Sequence, residues 1–367
     1  MILMNIKLEN LILFHNFELC TSYPKKIVDS GIGEEALKNH PNFRYKKLII
    51  LMGANATGKT ALGRILMTIF NFISNKEYTR LVSLIENNSK KASFSIDFVN
   101  DDKELWRIET TIDPSEKKEY RSENIHVKTK QVAILSNDNY ERCAERLNKQ
   151  SYIENTNYIN TLEMIPRFTW GFEFSYDLDE PMYLVNDSLL FNKVLKQTLK
   201  TLDPRIIDVK PLDKDVTSVT YPHCNVIIKN GKVLDNNVLS KGTSEGIGIA
   251  VMIASMKTNR AHFYYCDEKF SHIHSDAEKA FLSLLIDLIG PNQQMFITTH
   301  NMDIFDMDIP KHSFAFLRRD DNNDNHISCV YASEYLKKNT DSVRNAVEND
   351  VFSSSPDITG IYKIRDI

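Results

Sequence analysis

Four short stretches of this 367-residue chain carry residues whose types and spacing could do chemistry. The first is Gly53-Ala54-Asn55-Ala56-Thr57-Gly58-Lys59-Thr60, in which two glycines bracket four residues and precede a lysine and a hydroxyl. Glycine lets the main chain wrap closely round an anion, and successive N–H groups at a helix N-terminus then donate to phosphate oxygens. In such a loop Lys59 reaches the β- and γ-phosphates of a nucleotide, and the Thr60 hydroxyl holds Mg²⁺. The second is Phe263-Tyr264-Tyr265-Cys266-Asp267-Glu268, an apolar run ending in two carboxylates. Asp267 is placed to hold Mg²⁺ through water, and Glu268 to orient or deprotonate an attacking water. Taken alone such a pair more often marks a solvated turn; a phosphate loop upstream in the same chain favours the catalytic reading. The third is Leu239-Ser240-Lys241-Gly242-Thr243, either a simple helix cap or a second anion-binding helix end. The fourth is Phe296-Ile297-Thr298-Thr299-His300-Asn301, where a histidine follows another apolar run. A lone histidine in that position is usually structural.

The elements that must position these residues are legible around them. The run Leu48-Ile49-Ile50-Leu51-Met52 reads as a buried strand and residues 61–72 have helical periodicity, so the first loop sits between strand and helix. Residues 244–256 and 276–288 read as helices, and 262–266 and 294–298 as buried strands. Residues 6–17, 92–99 with 105–112, and 218–233 alternate apolar and polar and read as antiparallel strands, the last pair turning at Asn230-Gly231. Residues 189–202 and 341–348 read as helices, and 313–317 with 326–331 as a closing strand pair. Residues 21–45 read as an irregular insertion with one short helix, and 113–167 as polar sequence with helical patches and no clear period. The expected organisation is an N-terminal lobe (1–112) carrying the phosphate loop, an inserted middle region (113–217) and a C-terminal lobe (218–367). The fold class is α/β, with a mostly parallel core sheet, an antiparallel N-terminal β-lobe and a partly helical insertion.

Composition narrows the function. A hydrophobic share of 42% with 26% charged residues is a globular balance, and a net charge of -4 argues against coating nucleic acid through bulk positive charge. Five scattered cysteines (Cys20, Cys143, Cys224, Cys266, Cys329) form no C-x-x-C pair and suit neither a disulfide framework nor a zinc site. Asn5, Lys7, Glu9, Asn10, His15 and Glu18 interrupt the apolar start, which excludes a signal-peptide core or a membrane span there. A cytoplasmic location is expected. His272, His274 and Asp276 lack an evident third metal ligand nearby, so an interface role is preferred for them over a metal or nuclease site.

In their order, the four motifs resemble an ABC-type P-loop ATPase. Ser240 lies 27 residues before Asp267, and His300 lies 33 after it. That is the arrangement of an ABC signature, a Walker B strand and a switch histidine. The opening Ile6-Lys7-Leu8-Glu9-Asn10 followed by Phe14-His15-Asn16-Phe17 is similar to RecF, SMC and OLD-like ATPases. Ser240-Lys241-Gly242-Thr243, Thr298-Thr299-His300 and the tail with Arg318-Arg319-Asp320-Asp321 resemble AAA/OLD-like ATPases of prokaryotic phage-defence systems. Three positions depart from the pattern. Lys269 replaces a proline, Ile273-His274 stands where transporters carry Leu-Asp, and the Q-loop glutamine has only Gln131 as a candidate.

The resemblance implies ATP and Mg²⁺ as cofactors. Gly53 through Thr60 would bind the nucleotide, Thr60 and Asp267 the metal, and Lys59, Glu268 and His300 would act on the γ-phosphate. It also implies a homodimer or higher homo-oligomer, with Ser240 and Gly242 of one copy completing the ATP site of the other. The expected role is a defence switch controlling a separate effector, a nuclease or toxin, since 67 residues after His300 leave no room for a fused TOPRIM nuclease. The alternative is a RecF/SMC-like DNA-repair ATPase that binds DNA in its ATP state, with Lys117, Lys118, Arg121, Lys128 and Lys130, or residues 193–200, as contacts. No membrane partner is expected.

Overall fold

The chain was analysed as a computed structural model, which describes residues 1–27, 30–175, 188–213, 216–229, 232–233, 239–320, 326–338, 340–356 and 358–364. Three largely apolar runs, Leu48–Met52, Phe263–Asp267 and Gln294–Thr298, are buried along their whole length. Strands of that kind belong to a parallel sheet covered on both faces. They form the centre of a six-stranded sheet whose order is Trp170–Phe174, Phe263–Asp267, Gln294–Thr298, Leu48–Met52, Phe314–Asp320 and His326–Tyr331. All neighbours run parallel except the final pair.

Alternation along these strands feeds two cores. Ile49, Leu51, Phe263, Tyr265 and Phe296 face the helix Lys59–Asn75. Leu48, Ile50, Tyr264, Cys266, Met295 and Ile297 face the helices Lys241–Lys257 and Ser275–Leu288. In Lys59–Asn75 the buried residues Leu62, Ile65, Leu66, Ile69, Phe70 and Ile73 recur at helical spacing, and each large apolar side chain contributes about 1.5–3 kcal/mol on burial. Phe70 sits among the rings of Phe168, Trp170, Phe172 and Phe263. The helix stops at Lys76, which adopts a left-handed conformation and donates its N–H to the Phe72 carbonyl.

A second six-stranded sheet, antiparallel throughout, is ordered Phe17–Cys20, Ile2–Glu9, Ala92–Val99, Glu104–Ile112, Ile125–Ala133 and Ile153–Glu154. It shares a core with the helix Lys59–Asn75. Gln294 clasps the two sheets: its side chain accepts from the Leu3 N–H and donates to the carbonyls of Leu3 and Lys46. The helix Ser188–Leu202 and the strands Asp208–Asp213, Val216–Thr220, Asn225–Lys229 and Lys232–Val233 form a further layer against Lys241–Lys257, with its own core.

The expected fold class holds, and the differences are local. The stretch 113–217 is partly helical, with Tyr140–Asn148, Tyr158–Glu163 and Ser188–Leu202, but it is spread over three layers. Its strand Ile125–Ala133 completes the antiparallel lobe, and Trp170–Phe174 forms the edge of the parallel sheet. Residues 21–45 contain, among the described residues, no helix but a small pair of strands, Ala36–Leu37 and His40–Arg44. The turn at Asn230-Gly231 and Asp321 of the acidic turn lie outside the described residues. A four-residue connection closes Val216–Thr220 on Asn225–Lys229, where the Tyr221 N–H donates to the Cys224 carbonyl. No helix among the described residues is long and apolar enough to cross a membrane.

Candidate functional site

The carboxyl ends of the three central strands deliver the motifs to one edge of the parallel sheet, where ligands of open α/β sheets bind. Met52 leads into the phosphate loop, Asp267 ends its strand, and Thr298 leads into the histidine loop. Between them lies a cleft of about 850 Å³ lined by Asn55, Ala56, Gly58, Lys59, Thr60, Glu268 and His300 among others.

The phosphate loop needs its glycines. Gly53 and Gly58 have φ of 148° and 97°, conformations that side chains disfavour. A Cβ on Gly53 would lie 2.5 Å from the Leu317 carbonyl oxygen, and one on Gly58 2.9 Å from the Phe14 ring. Lys59 bends back along the loop. Its ammonium donates to the Gly53 carbonyl at 2.9 Å and the Ala54 carbonyl at 3.3 Å, and stands 3.7 Å from Glu268. Burial pushes its pKa below the usual lysine range, with Glu268 and Asp267 opposing that shift. The Ala54 N–H donates to the Ser354 carbonyl, so the C-terminal segment closes over the loop's outer side. Phe352 fixes that segment by stacking on Phe316 at 4.1 Å.

Asp267 is fully buried and accepts two hydroxyl hydrogen bonds, from Thr60 and Thr298, each 2.7 Å. Burial raises its pKa, and these two bonds work against the rise. Glu268 adopts a left-handed backbone at φ 49°, held there because its N–H donates to the carbonyl (3.2 Å) and the hydroxyl (2.9 Å) of Thr298. Its carboxylate turns into the cleft and meets His300 Nε2 at 2.9 Å. That hydrogen bond, ahead of the nearby Lys59 charge, keeps its pKa below the usual glutamate range. Five of the expected residues, Lys59, Thr60, Asp267, Glu268 and His300, are therefore wired into one hydrogen-bonded and ionic cluster. The oxygen donors of Thr60 and Asp267 fit a hard divalent cation such as Mg²⁺.

The signature residues stand apart from this cluster. Ser240 caps the helix Lys241–Lys257, its hydroxyl accepting from the Thr243 N–H at 3.1 Å, and neither Ser240 nor Gly242 lines the cleft. A Cβ on Gly242 would lie 2.5 Å from the His272 carbonyl oxygen, so this helix start is packed against the segment that follows Glu268. His272 and His274 do not converge. His272 Nδ1 pairs with Glu245 at 2.7 Å, while His274 caps the helix Ser275–Leu288. No group of three or more His, Cys, Asp or Glu side chains placed to hold a metal ion occurs among the described residues. Gln131 lies on Ile125–Ala133 opposite Trp106, away from the cleft.

Sequence reasoning missed several residues that build the site. Arg64, one turn into the phosphate-loop helix, lines the cleft and adds a cation to it. Tyr265 lies under that helix, its hydroxyl donating to the Lys59 carbonyl at 2.7 Å; a Cβ on Gly63 would meet its ring at 2.5 Å. Lys269, which replaces the proline of the family pattern, donates to the Phe174 carbonyl at 3.0 Å and pairs with the largely buried Glu173 at 3.4 Å. A Cβ on Gly248 of the signature helix would clash with that pair. Glu278, buried beneath the histidine loop, carried no motif signal.

A protein-family profile described as AAA domain, putative AbiEii toxin, Type IV TA system matches residues 48–306, which is more than half of the chain. No curated protein sequence matches it. Among solved structures, the chain is similar to an SmcHead bound to the C-winged helix domain of ScpA. Identity is 15%, the TM-score is 0.53, and the match covers 94% of this chain and 100% of that one. It is also similar to an SMC head domain from Thermotoga maritima, with 12% identity, coverage of 90% and 99%, and a TM-score of 0.46. A third is an Smc head domain with an extended coiled coil, bound to the C-terminal domain of ScpA, derived from Pyrococcus furiosus. Its identity is 14%, coverage 95% and 98%, and TM-score 0.47. The first likeness establishes an SMC-head-like fold.

Proposed function

We propose that this chain, which belongs to the AAA domain family described as putative AbiEii toxin, Type IV TA system, is an ATP-hydrolysing switch whose ATP-clamped dimer controls a separate effector in prokaryotic anti-phage defence. The observation that carries the ATPase reading is the cleft lined by Lys59, Thr60, Glu268 and His300, with the buried Asp267 bonded to Thr60 and with Ser240 and Gly242 outside the lining. A site with every group except the signature calls for a second copy to supply it.

The loop N–H groups, the helix N-terminus and Lys59 bind the phosphates and orient the γ-phosphate toward Glu268. Mg²⁺, when bound, neutralises phosphate charge, and Thr60 and Asp267 would hold it. Glu268 stays ionised at neutral pH, as an acceptor for the attacking water's proton must. His300 orients that carboxylate and adds a donor near the γ-phosphate. Ser240 and Gly242 of a second copy present a capped helix N-terminus, an anion-binding end that distinguishes ATP from ADP. ATP thereby favours the closed dimer, and hydrolysis releases it.

The defence role draws on the family's description as a putative AbiEii toxin of a Type IV TA system, and the separate effector is the further step of this proposal. In cells carrying the chain with its neighbouring genes, protection against phage should be lost with Glu268→Gln, as read by plaque counts. Full protection by that variant would contradict the switch. Loss of protection with salt-sensitive DNA retention by the ATP-trapped protein alone would favour the DNA-repair reading.

A further inference from the structure

We propose that Glu278 is a positioning residue for hydrolysis, holding His300 against Glu268 by pinning the residues on both sides of the histidine. The proposal rests on the ATPase reading above and names a residue that reading does not use. Glu278 lies in the first turn of the helix Ser275–Leu288, is almost fully buried, and lines the floor of the cleft. One carboxylate oxygen accepts from the Thr299 hydroxyl at 2.8 Å, and the other from the Asn301 side-chain amide at 2.7 Å. His300 is the residue between them.

The surrounding hydrogen bonds fix which way each proton points. The Thr299 hydroxyl already accepts the Asn301 N–H at 3.0 Å, so its own proton goes to Glu278. Asn301 cannot reverse its amide, because its Oδ1 accepts the Asp303 N–H at 2.9 Å and its Nδ2 also donates to the Ser275 hydroxyl at 3.0 Å. Position 278 therefore faces two donors and needs two acceptors. A carboxylate supplies both; glutamine keeps one acceptor, for Asn301, while its amide would donate to the second lone pair of the Thr299 hydroxyl and leave that hydroxyl's proton without its acceptor. A buried carboxylate without a basic partner among the described residues is costly, and here burial raises its pKa despite both hydrogen bonds. Neighbouring Thr298 performs the matching task on the other side, donating to Asp267 and accepting from the Glu268 N–H. The strand end thus ties the histidine loop to two carboxylates, one at the reacting centre and one below it.

Glu278 touches none of the reacting groups and acts through His300, which a double-mutant cycle can read. Glu278→Gln keeps the shape of the side chain, and Thr299→Val breaks the same tie from the other end. Each should lower kcat for ATP about tenfold, by misplacing His300, and leave KM within about twofold. In a His300→Ala background neither should lower kcat further. Equal losses in both backgrounds, or no loss in either, would overturn the proposal. Full turnover by His300→Ala alone would remove the histidine from the mechanism, and the proposal with it. A loss in His300→Ala to which Glu278→Gln adds independently would overturn the proposal only.

Discussion

Glu268→Gln should bind ATP as the wild type does and turn it over about 10²–10⁴-fold more slowly. The replacement keeps the size of the side chain, so the left-handed backbone held by Thr298 has no reason to move. What changes is charge and basicity. An amide can still meet His300 at 2.9 Å, yet it cannot take a proton from water. Binding should be spared because the proposed phosphate contacts are the loop and Lys59, and loss of a negative charge 3.7 Å from Lys59 leaves that ammonium freer to engage them. Phosphate release under saturating ATP, measured beside equilibrium binding of a fluorescent ATP analogue, separates the two effects. Wild-type turnover by this variant would remove Glu268 from the chemistry.

Lys59→Ala should act earlier, on binding. The lysine is buried and held along the loop by the carbonyls of Gly53 and Ala54, so its charge is already directed and little side-chain freedom is lost when phosphate arrives. Removing it takes a desolvated, charge-assisted contact from the phosphates, a loss of about 2–5 kcal/mol, and ATP affinity should fall about 30-fold or more. The fold should persist, because the helix is secured by its apolar face from Leu62 to Ile73. Unchanged ATP affinity in a folded Lys59→Ala protein would move the phosphates elsewhere.

Much of the site was readable because its chemistry depends on contiguous residues. A phosphate loop needs its glycines, lysine and hydroxyl in one run, and the runs before Asp267 and Thr298 could only be buried strands. The edge of the parallel sheet was harder. Trp170–Phe174 is short, and its assignment depends on a partner some ninety residues away at Phe263–Asp267. The strand Ile125–Ala133 was overlooked although Ile125 and Val127 are buried and His126 is exposed in plain alternation. Its polar residues Lys128, Lys130 and Gln131 outweighed that signal. Lys130 is buried under the Tyr152 ring, a contact with no local trace in the sequence. The same holds for Glu278, which is pinned to Thr299 and Asn301 across the fold. Positions 269 and 131 show the limit of resemblance. A lysine in place of proline serves as an anchor to Glu173, and Gln131 belongs to the other sheet.

The division of the site bears most directly on what the molecule does. Lys59, Thr60, Glu268 and His300 line one cleft with Asp267 bonded to Thr60, and Ser240 and Gly242 of the signature helix, which is packed tightly at Gly242 and Gly248, are not part of that lining. Light scattering of Glu268→Gln with and without ATP and Mg²⁺ tests that division. The mass should double when ATP is added and return to that of the monomer after ATP is removed. A monomer that holds ATP at saturation without any change in mass would contradict it.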